Sequence, residues 1–258
     1  MYINMVTLST CNLNFLIYIR VWELKLNPVK KAGKDTAKSK PKSQPKRSDK
    51  KEDSLRDRIL RECIQIVSEQ GSGAINMREI SRRLKISHTA PYKHFNSKED
   101  VLSELGILGF KMFNETLEKN LCLPESKIAL LDRFRQLKLN YEEFATKYPE
   151  LYQIIFHTKL PDKEKYPELK EVSTKAFAIL LNQVASMKAV GLIGEEDTFA
   201  SSLVIYILMH GYMTLKNNSI LEGLSNLFEY DQSIEDQMDR FLSRVILLKP
   251  ESDSLSPP

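Results

Sequence analysis

The sequence predicts an all-α protein, on three observations. Glycine and proline are sparse, at 9 and 11 of 258 residues, and leucine, lysine and glutamate, all good helix formers, are plentiful. Apolar residues recur three and four apart in one segment after another, the spacing that lines one face of a helix. Strand-like alternation and internal repeats do not stand out. The length is sufficient for two compact units with cores of their own.

The elements follow in order. Residues 1–26 are moderately apolar, but Asn12, Asn14, Arg20 and Glu23 interrupt them. A basic start before an apolar run and an uninterrupted stretch of about 18 apolar residues are both missing, so neither a signal peptide nor a membrane span is expected. The segment reads as a translated upstream region or an unstructured extension. Residues 27–53 are rich in Lys, Pro and Ser and read as a disordered basic arm, able to track phosphates or a minor groove, or equally inert. The ordered part starts near Ser54. Its first helix carries the stripe Leu55, Ile59, Cys63, Val67 and runs to about Gln70, where Gly71-Ser72-Gly73 stops it.

Asn76 to Phe95, NMREISRRLKISHTAPYKHF, reads as two short helices and a tight turn. The first spans Met77 to Leu84, with Asn76 as cap and Glu79 three residues on. Ile80 and Leu84 face inward with Ile75 and Ile86. The turn is Lys85-Ile86-Ser87, and the second helix is expected over His88 to His94, capped by Ser87. Pro91 would be its fourth residue and would delete the bond to Ser87, which is tolerable near a helix start. A capped pair of short helices with a basic, polar outer face suits insertion into a DNA major groove.

Ser97 and Asp100 then form a capping box opening a long helix to about Asn120, with Val101, Leu105, Leu108 and Met112 on one face. Further helices are predicted over Ser126 to Tyr148, Pro149 to about His157, Pro167 to about Ala189, Asp197 to Asn217 and Ser233 to Leu248. Lys159 to Lys165 reads as a loop, residues 218–230 as either loop or helical turn, and the tail from Pro250 as disordered.

The string Met77, Arg78, Ile80, Leu84, Ile86, Ser87, then Tyr92-Lys93-His94-Phe95, then Ser97-Lys98-Glu99-Asp100-Val101-Leu102 resembles the operator-binding head of the tetracycline-repressor (TetR/AcrR) family of one-component regulators. Two residues depart from it. Lys85 stands where the family usually has glycine, at a cost of about 1–2 kcal/mol if it is left-handed. Pro91 lies inside the second helix, as in an Ala-Pro-Tyr variant of the head. Past Asn120, Tyr148-Pro149-Glu150-Leu151-Tyr152 with Phe156, and His210-Gly211 four residues after Tyr206, resemble the ligand domain of a subgroup that usually has Trp-His-Gly; here Tyr206 replaces the tryptophan. The resemblance implies a three-helix helix-turn-helix DNA-binding head over 54–98, joined by the long helix to an α-helical ligand-binding and dimerisation body over 99–249, flanked by the extension 1–53 and the tail 250–258.

Roles follow for the head. His88, Thr89 and Ala90 are expected at base edges, with Lys93 one turn on; Lys93 can donate to guanine, and Thr89 or Ala90 can touch a thymine methyl. By the family positions, Tyr92, His94 and Lys98 bind phosphates, and Arg78 with the helix amino ends adds to them. Tyr92 could instead pack on Ile80. Phe95 is expected to anchor the core, and Arg82 and Arg83 to be solvated.

For the body, the resemblance implies a small-molecule pocket and a two-fold pairing of the last two long helices. Leu203, Ile207, Leu208 and Leu215, with Met238, Phe241, Leu242, Val245 and Ile246, supply the apolar faces for a four-helix interface, unless they serve only the internal core. The pocket residues expected are Tyr152, Phe156, Phe177, Tyr206, Met209 and His210, each of which could alternatively be plain core.

Charge agrees with a split in role. Residues 27–51 carry ten Lys/Arg against two Asp, a net of +8; residues 54–98 are at +5 and residues 99–258 at −8. Positive charge gathers where nucleic acid is expected. The three cysteines, Cys11, Cys63 and Cys122, are far apart, and the four histidines lack ligand spacing, so no disulfide framework and no metal or other cofactor is expected. Redox sensing at Cys122 stays open. With no nucleophile–base set, paired carboxylates or phosphate loop, an enzyme on a helical scaffold is disfavoured. The expectation is a cytoplasmic, homodimeric regulator of double-stranded DNA answering to a small-molecule effector, without a membrane partner; a DNA-binding activator or architectural protein without a ligand is the rival.

Overall fold

A computed structural model describes residues 54–121, 123–194 and 197–247, with the side chains of 239 and 242–247 left aside. The expectations for 1–53, for Cys122, for the interface side chains of Leu242, Val245 and Ile246, and for the tail from 250 fall outside what is described. The described residues form nine α-helices and no strand. They are α1 (Leu55–Gln70), α2 (Met77–Leu84), α3 (Lys98–Glu118), α4 (Lys127–Lys147), α5 (Pro149–His157), α6 (Pro167–Ala189), α7 (Thr198–Asn217), α8 (Ile220–Leu227) and α9 (Ile234–Leu247).

Side-chain caps set most of the starts. Ser54, Ser97, Ser126 and Asp197 each accept the N–H three residues on, at α1, α3, α4 and α7, relieving one orphan donor apiece. Pro149 and Pro167 instead open α5 and α6, where a missing N–H costs nothing. Gly71 stops α1 with φ +79°, a conformation that favours glycine. The ambiguous stretch 218–230 resolves into α8, entered through Ser219 at φ 55°.

α3 is the axis. Its first turns, with Val101 and Leu105 buried, pack on α1, and the rest packs on α4, α5 and α6. Two glycines permit this closeness. A Cβ on Gly106 would lie 2.9 Å from Leu169 Cδ1, and one on Gly109 would lie 2.5 Å from Ile155 Cγ2. Buried amides tie the helices together: Asn114 Nδ2 donates to Val172 O at 2.9 Å, Asn140 Nδ2 to Leu117 O and Lys119 O at 2.9 and 2.7 Å, and Gln183 Nε2 to Leu130 O at 2.9 Å. Asn140 thereby satisfies carbonyls that end α3. α1 also rests against α5, a second bridge between the two halves. Among the described residues α7 alone is long and apolar enough to cross a membrane, but it packs on α6 and α4 here.

Candidate functional site

The reader is built on α2. Asn76 Oδ1 accepts the Glu79 N–H at 2.8 Å, as its cap role requires. Ile75 and Ile80 are buried, at 1% and 0% exposure, and fix the inner face. Lys85 ends the helix in the left-handed conformation, φ 54° and ψ 44°. It therefore takes the glycine-like role and incurs the strain expected of it.

The second helix is different from the expectation. His88 to His94 is not an α-helix: a turn at 88–90 is followed by a single 3-10 turn, Pro91–Lys93. The bonds from Ala90 N to Ser87 O at 3.0 Å, Lys93 N to Ala90 O at 3.2 Å and His94 N to Pro91 O at 3.0 Å each span three residues, and only Phe95 N, also 3.0 Å from Pro91 O, closes a four-residue turn at the end. The cause is Pro91. It has no N–H for the Ser87 carbonyl, and its ring crowds the preceding turn, so the segment tightens to the shorter repeat. Pro91 itself is buried. Ser87 does not cap a helix; its Oγ lies 3.2 Å from Thr89 Oγ1.

The expected DNA-contact residues are mostly solvent-accessible. Arg78, His88, Thr89, Tyr92, Lys93 and His94 are exposed, and Ala90 and Lys98 are half-buried. Tyr92, at 53% exposure, is not packed away on Ile80. Phe95, at 2%, anchors the core, with the Arg56 guanidinium 5.5 Å from its ring centre.

Arg83 is not solvated. Its side chain is 14% exposed and meets Glu79, Glu69 and Glu62 at 2.7, 2.7 and 3.4 Å. Arg82 also grips Glu79, at 2.7 and 2.8 Å. The two guanidiniums hold the Glu79 carboxyl down at about 2. The spacing Glu79 to Arg83 was the sequence signal for this, but Glu62 and Glu69 come from α1 and only the fold brings them in.

A cavity of about 320 Å³ lies in the body, walled by α3, α4, α5, α6 and α7 with one residue from the α5–α6 loop. Of the expected residues, Phe156, Phe177, Tyr206 and Met209 are in its wall. Tyr152 and His210 stand outside that wall in a polar cluster: Tyr152 Oη is 3.0 Å from His210 Nδ1, and Tyr141 Oη is 3.4 Å from each. Burial pushes the Tyr141 and Tyr152 phenols up and the His210 imidazole down, the latter helped by His157 stacked at 5.1 Å. All three stay uncharged at neutral pH.

Sequence reasoning missed Phe110, Phe113, Phe134, Tyr141, Lys138 and Lys163 as wall residues. Phe134 and Tyr141 stand seven apart in the sequence, a helical spacing that does not say whether core or cavity lies opposite. Cys63 is fully buried and its thiol is pushed up to about 12, so it is packing material. No trio of His, Cys, Asp and Glu suited to a metal occurs among the described residues.

Comparison with known proteins adds two family matches. Residues 59–105 match the family described as bacterial regulatory proteins, tetR family. Residues 134–241 match the tetracyclin repressor-like C-terminal domain. No protein of curated function matches the sequence. Among solved structures, the chain is similar to a protein of unknown function from Rhodococcus sp. RHA1, with TM-score 0.60 and 23% identity over 80% of this chain and 100% of that one. It is similar to the TetR family transcriptional regulator PfmR from Thermus thermophilus, with TM-score 0.53 and 18% identity over 74% and 97%. The fatty acid degradation regulator FadR from Bacillus halodurans gives 0.54 and 17% over 74% and 94%. At these identities the likenesses speak to fold.

Proposed function

The chain belongs to the tetracycline-repressor family of DNA-binding transcriptional regulators, and from that premise we propose that it is a ligand-responsive repressor, released from a near-palindromic operator when a small molecule enters the body cavity. The carrying observation is that one helix, α3, starts at the reader and supplies Phe110, Phe113 and Leu117 to the cavity wall. A change in the cavity has a rigid route to the head.

In this reading, residues 54–98 form the DNA-binding head and residues 99–249 the effector and dimerisation body. His88, Thr89, Ala90 and Lys93 meet base edges, and Arg78, Tyr92, His94 and Lys98 meet phosphates. The working form is a homodimer, whose two heads lie in successive major grooves about 34–36 Å apart. The outer faces of α7 and α8 support this. Phe199, Val204, Ile207, Leu224, Leu227 and Phe228 are 46–73% exposed, an apolar surface that pairing would cover. The effector must bind the free and operator-bound forms unequally, with a coupling of about 1–3 kcal/mol.

The test is binding of purified protein to the DNA immediately upstream of its own gene, over a range of salt, against competitor duplex of equal length. A preference that survives moderate salt supports a sequence-reading regulator. Equal affinity for every duplex would overturn it.

A further inference from the structure

The cavity wall has a chemistry narrower than its role requires. Its space is about 320 Å³, at the small end of the range of about 300–1,000 Å³ usual for small-molecule pockets, which suits a compact guest. Phe110, Phe113, Phe134, Phe156, Phe177 and Tyr206 dominate it. Several meet edge to face, Phe113 on Phe156 at 5.4 Å and Phe177 on Tyr206 at 6.1 Å, an arrangement that extends to a flat guest.

Its two cations do not invite an anion inward. Lys138 Nζ lies 2.9 Å from Glu142 Oε1, with the two side chains only 9% and 16% exposed. A carboxylate drawn to Lys138 would have to displace Glu142 and leave it buried without its partner. Lys163 is exposed, its ammonium 5.9 Å from the Phe110 ring centre, so it stands at the rim in water. A cationic guest would find no carboxylate in the wall, whose two charged side chains are both lysines.

Of the uncharged polar side chains in the wall, Tyr206 is the open one, since Ser173 Oγ donates to Lys170 O at 3.1 Å. Tyr141, Tyr152 and His210 are engaged with one another. The Tyr206 ring lies parallel to His210 at 5.8 Å and 7°, and its hydroxyl has no hydrogen-bond partner among the described residues. A phenol can both donate and accept, so this hydroxyl is available to bond a polar group on a guest.

We propose that this cavity takes a compact, uncharged aromatic molecule bearing one hydroxyl or carbonyl group, and that Tyr206 is the specificity-determining residue that bonds it. The assignment rests on the cavity being the effector site.

The experiment is calorimetric titration of the full chain at neutral pH with four probes of matched shape: 4-propylphenol, propylbenzene, 4-propylbenzoate and 4-propylbenzylamine. The phenol should bind at least about fivefold more tightly than propylbenzene, the worth of one net hydrogen bond, and the two charged probes more weakly still. Tyr206→Phe should lower phenol affinity to that of propylbenzene and leave propylbenzene unchanged, which a merely structural role would not do. Ala176→Leu, or Leu180→Phe should the first not fold, should fill the cavity and weaken both neutral probes. Binding that needs the cavity but favours the benzoate or the amine overturns the charge assignment alone. An equal loss of phenol and propylbenzene in Tyr206→Phe, or no loss, overturns the role of Tyr206. Binding untouched by filling the cavity overturns the effector-site reading, and no binding of any probe overturns both.

Discussion

The Tyr166 hydroxyl donates to Asp100 Oδ1 at 2.7 Å, joining the loop before α6 to the first turn of α3. The same carboxylate receives the Asn96 backbone N–H at 2.9 Å and its side-chain amide at 3.0 Å. Lys163, three residues before Tyr166, is at the cavity rim. One carboxylate therefore ties the cavity's loop to the joint between the reader and α3. Tyr166, then the Asn96 N–H, hold the Asp100 carboxyl below its ordinary value. A depressed carboxyl stabilises the fold above its unfolded pKa, and that contribution is lost as pH falls through the folded value. Tyr166→Phe should raise the Asp100 pKa toward the ordinary range, read by NMR titration. It should lower stability by about 1 kcal/mol at neutral pH, a difference that closes on acidification. An unmoved Asp100 titration would sink the tie.

Lys98 and Lys93 should respond differently to truncation. Lys98 follows the Ser97 cap at the amino end of α3 and is half-buried; Lys93 is exposed on the 3-10 turn; the proposed roles are phosphate contact for Lys98 and base contact for Lys93. Lys98→Ala should weaken all duplexes alike and flatten the salt slope by about one. Lys93→Ala should change preference at one operator position by about 1–3 kcal/mol. Uniform weakening by Lys93→Ala across operator variants would remove its base-reading role.

The helices were legible because caps and stripes are local. Asn76, Ser97, Ser126 and Asp197 each act three residues away, and Pro149 and Pro167 announce helix starts by themselves. The collapse of the segment after Ser87 was not read, although Pro91 was seen. The missing N–H and the ring of Pro91 weigh more in so short a segment than its place near a helix start suggests. Arg83, Tyr166 and the cavity wall share another obstacle. Their partners lie far off in sequence, as with Asp100 and Tyr166, and periodicity records which face is apolar but not what it meets.

Gly109→Ala tests the closeness of α3 and α5. Alanine is the better helix former by about 1 kcal/mol, but its Cβ would sit 2.5 Å from Ile155 Cγ2. That methyl is a branch next to a helical backbone on a 6% exposed side chain, so it cannot swing aside cheaply. Overpacking at about 1–3 kcal/mol outweighs the gain. Net destabilisation of about 1 kcal/mol is expected in denaturant unfolding, with Gly109→Ala/Ile155→Val recovering part of it. A stabilised single variant would mean that the helices part freely.

The last prediction concerns acid. Glu79 is gripped by Arg82 and Arg83, and its carboxyl is held at about 2 against an ordinary 4.5. Because the folded value is the lower one, the stability it brings is full above 4.5 and fades as pH falls toward 2. Glu79→Gln keeps the size but loses the charge, so Arg83 is left with Glu69 and Glu62 alone. Its melting temperature should lie below that of the parent at pH 7, and the gap should narrow steadily below pH 4.5 and vanish near pH 2. Glu125→Gln, on an exposed carboxylate outside the helices, serves as the control with no gap at either pH. A gap for Glu79→Gln that is the same at pH 7 and pH 3 would show that it comes from packing rather than charge. The Arg83 cluster would then not be what fastens α2 to α1.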